Sequence, residues 1–131
     1  MKKQIILLFT LLISLTILFG CAEPEPNDST SESNSDDTVT ITISKDNGAE
    51  VISTKSVGIE QDDVLLDVLR ENFEVEVTSA GFVTSIEGIS QDDDQQLYWL
   101  YEVNGESPNV GAGEYNLSPD DVVVFDLHGM D

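Results

Sequence analysis

The residues best suited to binding chemistry are aromatic side chains on one predicted strand and the loop of small residues that follows it. Alternation along residues 97–103 places Trp99 and Tyr101 on one face of the strand and Tyr98 on the other. An aromatic face can stack on a flat ligand, although burial in the core is the simpler interpretation of Trp99. The loop 106–113, with the sequence ESPNVGAG, can bring backbone N–H and C=O groups close to a ligand. The candidate ligand-binding residues are Phe82, Tyr98, Trp99, Tyr101, Asn104, Gly105, Asn109 and Gly111.

Some of these positions also have a purely structural interpretation. Asn104-Gly105 is the dipeptide typical of a type I′ hairpin turn, and such a turn needs no ligand. For Gly81, which precedes a predicted strand, and Gly88, which lies in a predicted turn, backbone geometry is favoured over binding. Both interpretations of the Asn-Gly turn stay open at this point.

The sequence predicts neither a catalytic centre nor a metal site. Asp92, Asp93 and Asp94 are weak candidates for calcium ligands, but the run lacks the DxDxDG pattern and the twelfth-position glutamate of a calcium loop. His128 is the only histidine, so it cannot form a usual zinc site, and its place near the C-terminus predicts an exposed side chain. No GxSxG, P-loop or GxGxxG motif is present. We therefore expect a protein that is not an enzyme and has no certain cofactor.

The charge of the chain excludes several classes of partner. Its 131 residues include 5 Lys and Arg against 26 Asp and Glu, for a formal net charge of −21. A protein this acidic lacks the basic surface that binds phosphate backbones, so nucleic acid is excluded as a partner. An anionic membrane surface would also repel it.

The N-terminal residues resemble the export signal of a bacterial lipoprotein. Two lysines precede the apolar run Ile5–Phe19, which is shorter than the roughly 20 residues of a membrane-spanning helix. Residues 18–21, LFGC, resemble a lipobox, which implies cleavage before Cys21 and attachment of lipid to this only cysteine. We predict a signal peptide over 1–20 and a mature chain of charge −23. A lipid anchor alone would then hold it at the outer, extracytoplasmic face of the cell membrane.

A polar segment separates the predicted anchor from the folded part. Residues 22–37, AEPEPNDSTSESNSDD, contain one apolar residue, Ala22, and cannot build a core. We predict that 21–37 is the lipidated cysteine with a disordered acidic tether, and that 38–131 is a single folded domain.

Period-two alternation dominates residues 38–131. In the first strand Val39, Ile41 and Ile43 share one face and three threonines the other, and Asp46-Asn47-Gly48 supplies the following turn. Further strands are predicted over 51–59, 73–78, 81–86, 97–103 and 122–127.

Residues 61–72 break the alternation. Their apolar residues recur at helical spacing, and Asp62 or Asp63 is the predicted N-terminal cap. A helix that follows an opening hairpin and packs on a mostly antiparallel sheet predicts an α+β, β-grasp-like fold.

Several segments together resemble a known family. They are TVTITISKDNGAEV (38–51), DVLLDVL (63–69), GFVTSIEGI (81–89), YWLYEVNG (98–105), GEYNL (113–117) and DDVVVF (120–125). These segments resemble the DUF4430 family, whose domain is similar to the C-terminal domain of transcobalamin and gastric intrinsic factor. The resemblance covers almost all of 38–131, and the tyrosine-tryptophan strand that leads into Asn-Gly is its most specific part.

The resemblance implies a β-grasp-like domain that binds a small ligand. In the vitamin carriers this domain forms one wall of a cobalamin site and an α-helical barrel forms the other, whereas this sequence shows no pattern for a barrel. We therefore expect capture of cobalamin or another corrinoid for uptake, with a vitamin transporter or other surface protein as partner. The alternatives are a cell-surface protein-interaction or structural module without a small ligand, and a calcium-binding domain.

Overall fold

The computed structural model describes residues 37–130 of the chain. The predicted signal peptide 1–20, the lipidation at Cys21 and the tether up to residue 36 lie outside the described residues. Within the described part, no helix is long and apolar enough to cross a membrane.

Within residues 37–130, seven strands and one helix confirm the α+β class. The structure adds one strand, β5, to the six expected, because a two-residue strand is too short to show a period in the sequence. The helix begins four residues later than the predicted segment. The elements are β1 Thr38–Lys45, β2 Glu50–Gly58, α1 Leu65–Asn72, β3 Val75–Val77, β4 Val83–Ile86, β5 Ile89–Ser90, β6 Leu97–Val103 and β7 Val122–Gly129.

The strands divide between two sheets, whereas the sequence pattern predicts one. The main sheet has the order β2-β1-β7-β6, and its central strands β1 and β7 run parallel. β2 and β6 flank this pair, each antiparallel to its neighbour, which is a β-grasp-like arrangement. β3, β4 and β5 form a separate antiparallel sheet. Alternation within a strand shows which face is buried but does not specify the strand's partners.

The core lies between the helix and one face of the main sheet. The predicted apolar face of β1 is buried, with Ile41 and Ile43 fully inaccessible to solvent. β7 contributes Phe125, and α1 turns four apolar side chains inward, namely Leu65, Leu66, Val68 and Leu69. Burial of this apolar surface is the main term that stabilises the domain.

The start of the helix is capped by a distant loop and not by an aspartate side chain, so the predicted cap was wrong. Asp63 Oδ2 instead accepts a hydrogen bond from the backbone N–H of Glu60, at 2.8 Å. The first free helical N–H groups, of Leu65 and Leu66, donate to the carbonyl oxygens of Tyr115 and Ala112, at 2.9 and 3.0 Å. The helix therefore fixes one end of the long loop that follows β6.

Candidate functional site: a cleft beside strand β6

Five of the eight candidate residues line one cleft of about 400 Å³. They come from three separate segments: the turn before β4, the strand β6 and the loop after β6. A volume of this size is within the range of small-ligand sites. The five are Phe82, Trp99, Tyr101, Asn109 and Gly111.

Trp99 belongs mainly to the core. Its side chain is 7% exposed, and its indole Nε1 donates to the carbonyl oxygen of Ile89 at 3.0 Å. This hydrogen bond satisfies the polar group of a ring that is otherwise buried. Trp99 thus presents only a small area to the cleft, and its fluorescence should respond to a ligand bound there.

Tyr101 holds the wall of the cleft together. Its ring stacks on Phe125, with centroids 5.3 Å apart, and meets Tyr115 edge to face at 6.2 Å. Its hydroxyl donates to the carbonyl oxygen of Val110 at 2.6 Å, which ties the loop to β6. Burial, and to a lesser extent the nearby Tyr115, raises the pKa of Tyr101, so the hydroxyl remains a donor at neutral pH.

Two exposed apolar side chains mark the rim of the cleft. Phe82 is 69% exposed and Val110 is 41% exposed, and each comes from a different loop. Exposed large apolar residues that gather at one concave site are typical of a binding surface.

The edge of β6 supplies polar groups to the same cleft. Leu97 and Val103 each exchange backbone hydrogen bonds with a residue outside the main sheet, at 2.8 and 3.0 Å. Because backbone groups alternate sides along an antiparallel strand, those of Trp99 and Tyr101 face the same outer edge. Within residues 37–130 these two donors and two acceptors have no hydrogen-bond partner.

Three candidate residues lie away from the cleft. Tyr98 is on the opposite face of β6, where it is paired across the sheet with His128. Asn104 and Gly105 have positive φ angles of 53° and 80°, as the type I′ turn requires. These two residues therefore fit the structural interpretation of the Asn-Gly dipeptide.

The side chain of Asn104 joins two chain segments. Its Nδ2 donates to Asp121 Oδ1, and its Oδ1 accepts from the backbone N–H of Val122, both at 2.9 Å. Asp121 itself is buried, at 6% exposure, and also accepts from the N–H of Ser118. Asn104 thus fixes the β6 turn against the start of β7.

We expect Asn104→Ala to lower the free energy of unfolding by about 2 kcal/mol, because it removes two hydrogen bonds and because alanine tolerates positive φ less well than asparagine does. Urea unfolding followed by circular dichroism measures the loss. Asn109→Ala is the matched control, since the side chain of Asn109 is exposed in the loop and forms no hydrogen bond within residues 37–130, and it should change stability by less than about 0.5 kcal/mol. Equal losses in the two variants would contradict the structural role of Asn104.

The three consecutive aspartates form a hairpin loop. Asp92 exchanges backbone hydrogen bonds with Leu97, and its carboxylate accepts from the backbone and side chain of Gln95. The same hydrogen bonds lower the pKa of Asp92. Asp93 and Asp94 are exposed. In the part of the chain that the structure describes, no group of three or more His, Cys, Asp or Glu side chains is placed to hold a metal ion.

His128 is not an exposed tail residue, and its partner Asp126 was missed by sequence reasoning. Asp126 is 7% exposed and accepts from Ser44 Oγ (2.6 Å), the N–H groups of Asn47 (2.9 Å) and Gly48 (2.8 Å), and His128 Nδ1 (2.8 Å). Burial alone raises the pKa of Asp126, but these hydrogen bonds outweigh it and hold the pKa below its usual value. An acid that alternates with apolar residues gives no sequence signal of such burial.

Asp126 and His128 also line a separate cavity, of about 340 Å³, on the face of the main sheet opposite the helix. The carboxylate uses its two oxygens to hold the β1–β2 turn and to orient the imidazole. Its role in this structure is to connect the sheet to the turn.

Solved structures share this fold. A protein from Ruminococcus gnavus ATCC 29149 to which metal binding has been ascribed aligns with a TM-score of 0.59 and 21% identity, over 72% of this chain and 99% of that one. Haptocorrin in complex with Cbi (cobinamide) aligns with a TM-score of 0.59 and 20% identity, over 70% of this chain and 25% of that one. At these identities the similarity establishes the fold. No curated protein matches the sequence.

The family resemblance seen in the sequence is confirmed. The family model described as "Domain of unknown function (DUF4430)" matches residues 62–129. This region includes the helix, the second sheet, both strands of the β6–β7 pair and every residue of the cleft. The match covers more than half of the chain, and the protein therefore belongs to the DUF4430 family.

Proposed function

We propose that this domain binds a small, flat, partly apolar ligand in the cleft beside β6. The observation that carries the proposal is the exposure of Phe82 and Val110 at the rim of a cleft that lies beside the unpaired backbone groups on the outer edge of β6. An apolar ligand body would cover the rim, and polar groups at its edge would meet the backbone of Trp99 and Tyr101.

The expected energetics are those of a shallow site. Covering a phenylalanine side chain that is mostly exposed contributes about 1–2 kcal/mol at the usual value per unit of apolar area. Backbone donors and acceptors that are already fixed in a strand add orientation without a large loss of conformational entropy. Micromolar binding is a reasonable expectation for such a site acting alone.

A corrinoid is the ligand that we propose first. The fold is shared with haptocorrin, which was solved in complex with cobinamide, and the shared part is a quarter of that protein. A corrinoid is larger than a cleft of about 400 Å³, so this domain would cover one side of the ligand. A transporter or other surface protein would receive the ligand from the open side.

The proposed location follows from the N-terminal sequence. We propose that Cys21 carries lipid at the outer face of the cell membrane and that the acidic tether holds the domain away from the headgroups. The membrane contact is then made by the anchor and not by the acidic surface of the domain. Capture of a ligand outside the cell, for uptake, is the role that fits this position.

The direct test is a titration of the full chain with cyanocobalamin, dicyanocobinamide and haemin. Trp99 is the only tryptophan and lines the cleft, so a bound ligand should quench its fluorescence and shift the ligand's own absorbance. Phe82→Ala should weaken binding by about tenfold, a change of about 1.4 kcal/mol, and leave the melting temperature unchanged because the side chain is exposed.

Val51→Ala is the matched control for Phe82→Ala. Val51 is 60% exposed and lies on β2, outside the cleft, so its removal should leave ligand affinity unchanged. The proposal is wrong if none of the three ligands quenches Trp99 or changes its own spectrum at micromolar concentration.

The free edge of β6 also supports a second candidate function, a cell-surface protein-interaction module. An extended peptide could pair with the backbone groups of Trp99 and Tyr101 without any small ligand. Pull-down of a surface protein that is lost when residues 107–111 are replaced, in a chain that quenches with none of the small ligands, would favour this function.

A further inference from the structure

A second cleft adjoins the first and contains an arginine. It measures about 470 Å³ and shares Gly81, Phe82 and Gly111 with the cleft beside β6. Phe82 is therefore common to both clefts. Arg70, from the last turn of α1, lines the second cleft. A ligand that covers Phe82 and extends into the second cleft would meet the guanidinium group.

Arg70 differs from the lysines of the described residues in having no partner there. Lys45 forms an ion pair with Glu50 at 3.1 Å, and Lys55 lies 4.4 Å from the centre of the Phe73 ring. The guanidinium group of Arg70 forms neither a hydrogen bond nor an ion pair within residues 37–130. Its guanidinium is thus available to another molecule.

The lack of a partner is informative because acids are close in sequence. Asp67 lies three residues before Arg70 on the same helix, a spacing at which ion pairs commonly form. Glu114 lines the same cleft, yet neither carboxylate is within 4 Å of the guanidinium. The favourable effect of a cation at the end of a helix accounts for a positive charge here, but not for its position in a cleft.

Resting on the proposed function, we propose that the ligand carries an anionic oxygen group, a carboxylate or a phosphate, and that Arg70 binds it in this second cleft. A guanidinium group presents paired N–H donors whose geometry matches such groups. Thr78 and Ser79 add hydroxyl groups to the same cleft. In a chain of net charge −21, a local cation is needed to hold an anionic substituent.

Matched pairs of probes isolate the anionic group. Cobinamide and cobinamide phosphate differ only in a phosphate, and haemin and its dimethyl ester differ only in free carboxylates. Titration of the full chain, followed by Trp99 fluorescence, should show about tenfold tighter binding of one anionic member than of its partner. The pair that shows the difference identifies the group as phosphate or carboxylate.

The Arg70→Gln variant should abolish the difference within that pair and leave the affinity for the member without the anionic group unchanged. Arg70→Lys, which keeps the charge but not the paired donors, should retain part of the difference. Lys45→Gln is the control, because this substitution also removes one positive charge, but from β1 and outside both clefts. The melting temperature of each variant shows whether the fold is intact.

Two results would overturn the inference and are distinct from failure of the proposed function. Equal affinity for both members of each pair in the wild-type chain would show that no anionic group is recognised. Equal weakening of both members by Arg70→Gln would show that Arg70 only supports the fold. If no probe quenches Trp99 at all, the proposed function itself fails, and the inference fails with it.

Discussion

Replacing Phe125 by alanine should lower the free energy of unfolding by about 3–5 kcal/mol, the usual cost of removing a buried aromatic ring. Phe125 is 1% exposed in the centre of β7, and its ring stacks on Tyr101. The cavity left behind would also free Tyr101, whose hydroxyl holds the loop at Val110. We therefore expect loss of ligand binding together with loss of stability, measured by urea unfolding and by Trp99 quenching.

A domain of this size has a total stability of about 5–15 kcal/mol, so Phe125→Ala can fail to fold. Phe125→Leu keeps most of the volume and should cost about 1–2 kcal/mol while preserving the cleft. Phe82→Ala removes the same kind of ring from a position that is 69% exposed, and should change stability by less than about 0.5 kcal/mol. Similar losses from Phe82→Ala and Phe125→Leu would contradict the described core.

Replacing Asp126 by alanine should lower the free energy of unfolding by about 3 kcal/mol, because four hydrogen-bond donors lose the same charged acceptor. These donors are Ser44 Oγ, the N–H groups of Asn47 and Gly48, and His128 Nδ1. The cost arises both from the lost hydrogen bonds and from the Ser44 hydroxyl, which is 1% exposed and loses its acceptor. Thermal unfolding should show a large decrease in melting temperature, whereas Asp94→Ala, in the exposed hairpin loop, should show almost none.

The pH dependence gives a separate check on Asp126. Its pKa is lowered in the folded state, so its ionised form stabilises the domain at pH values above the ordinary aspartate pKa of 3.8. That contribution is lost as the pH falls below 3.8 and through the lower folded value. The stability difference between the wild type and Asp126→Ala should therefore shrink in this acidic range. A difference that stays constant down to pH 2 would contradict the hydrogen-bonded carboxylate.

Local features of the fold could be predicted from the sequence. The bounds of β6 agree with the prediction, because a run of seven residues rich in aromatic and aliphatic side chains is typical of a strand. The turn after β1 has positive φ at Asn47 and Gly48, as those residue types favour. Each of these features depends on residues that are neighbours in the chain.

The candidate site could be predicted only in part. The aromatic strand and the small-residue loop do meet in one cleft, but Tyr98 lies on the other face and Asn104 has a structural contact. Arg70 was not a candidate, because nothing in a helical pattern shows that one of its side chains borders a distant loop. The apolar run Ile5–Phe19 and the lipobox-like residues that end in the only cysteine, by contrast, are properties of the sequence alone and led to the proposed lipid anchor.

Long-range pairing decided the remaining features. The parallel contact of β1 with β7, the capping of α1 by the loop after β6 and the burial of Asp126 all join residues far apart in the chain; Ser44 and Asp126 are separated by 82 positions. The alternation in each strand determined which side chains could be buried. The packing of all the strands around one core determined which strands became neighbours, and therefore which edge stayed free beside the cleft. The reason is that the free energy of hydrophobic burial depends on the total apolar area removed from water and is not specific to any pair of strands.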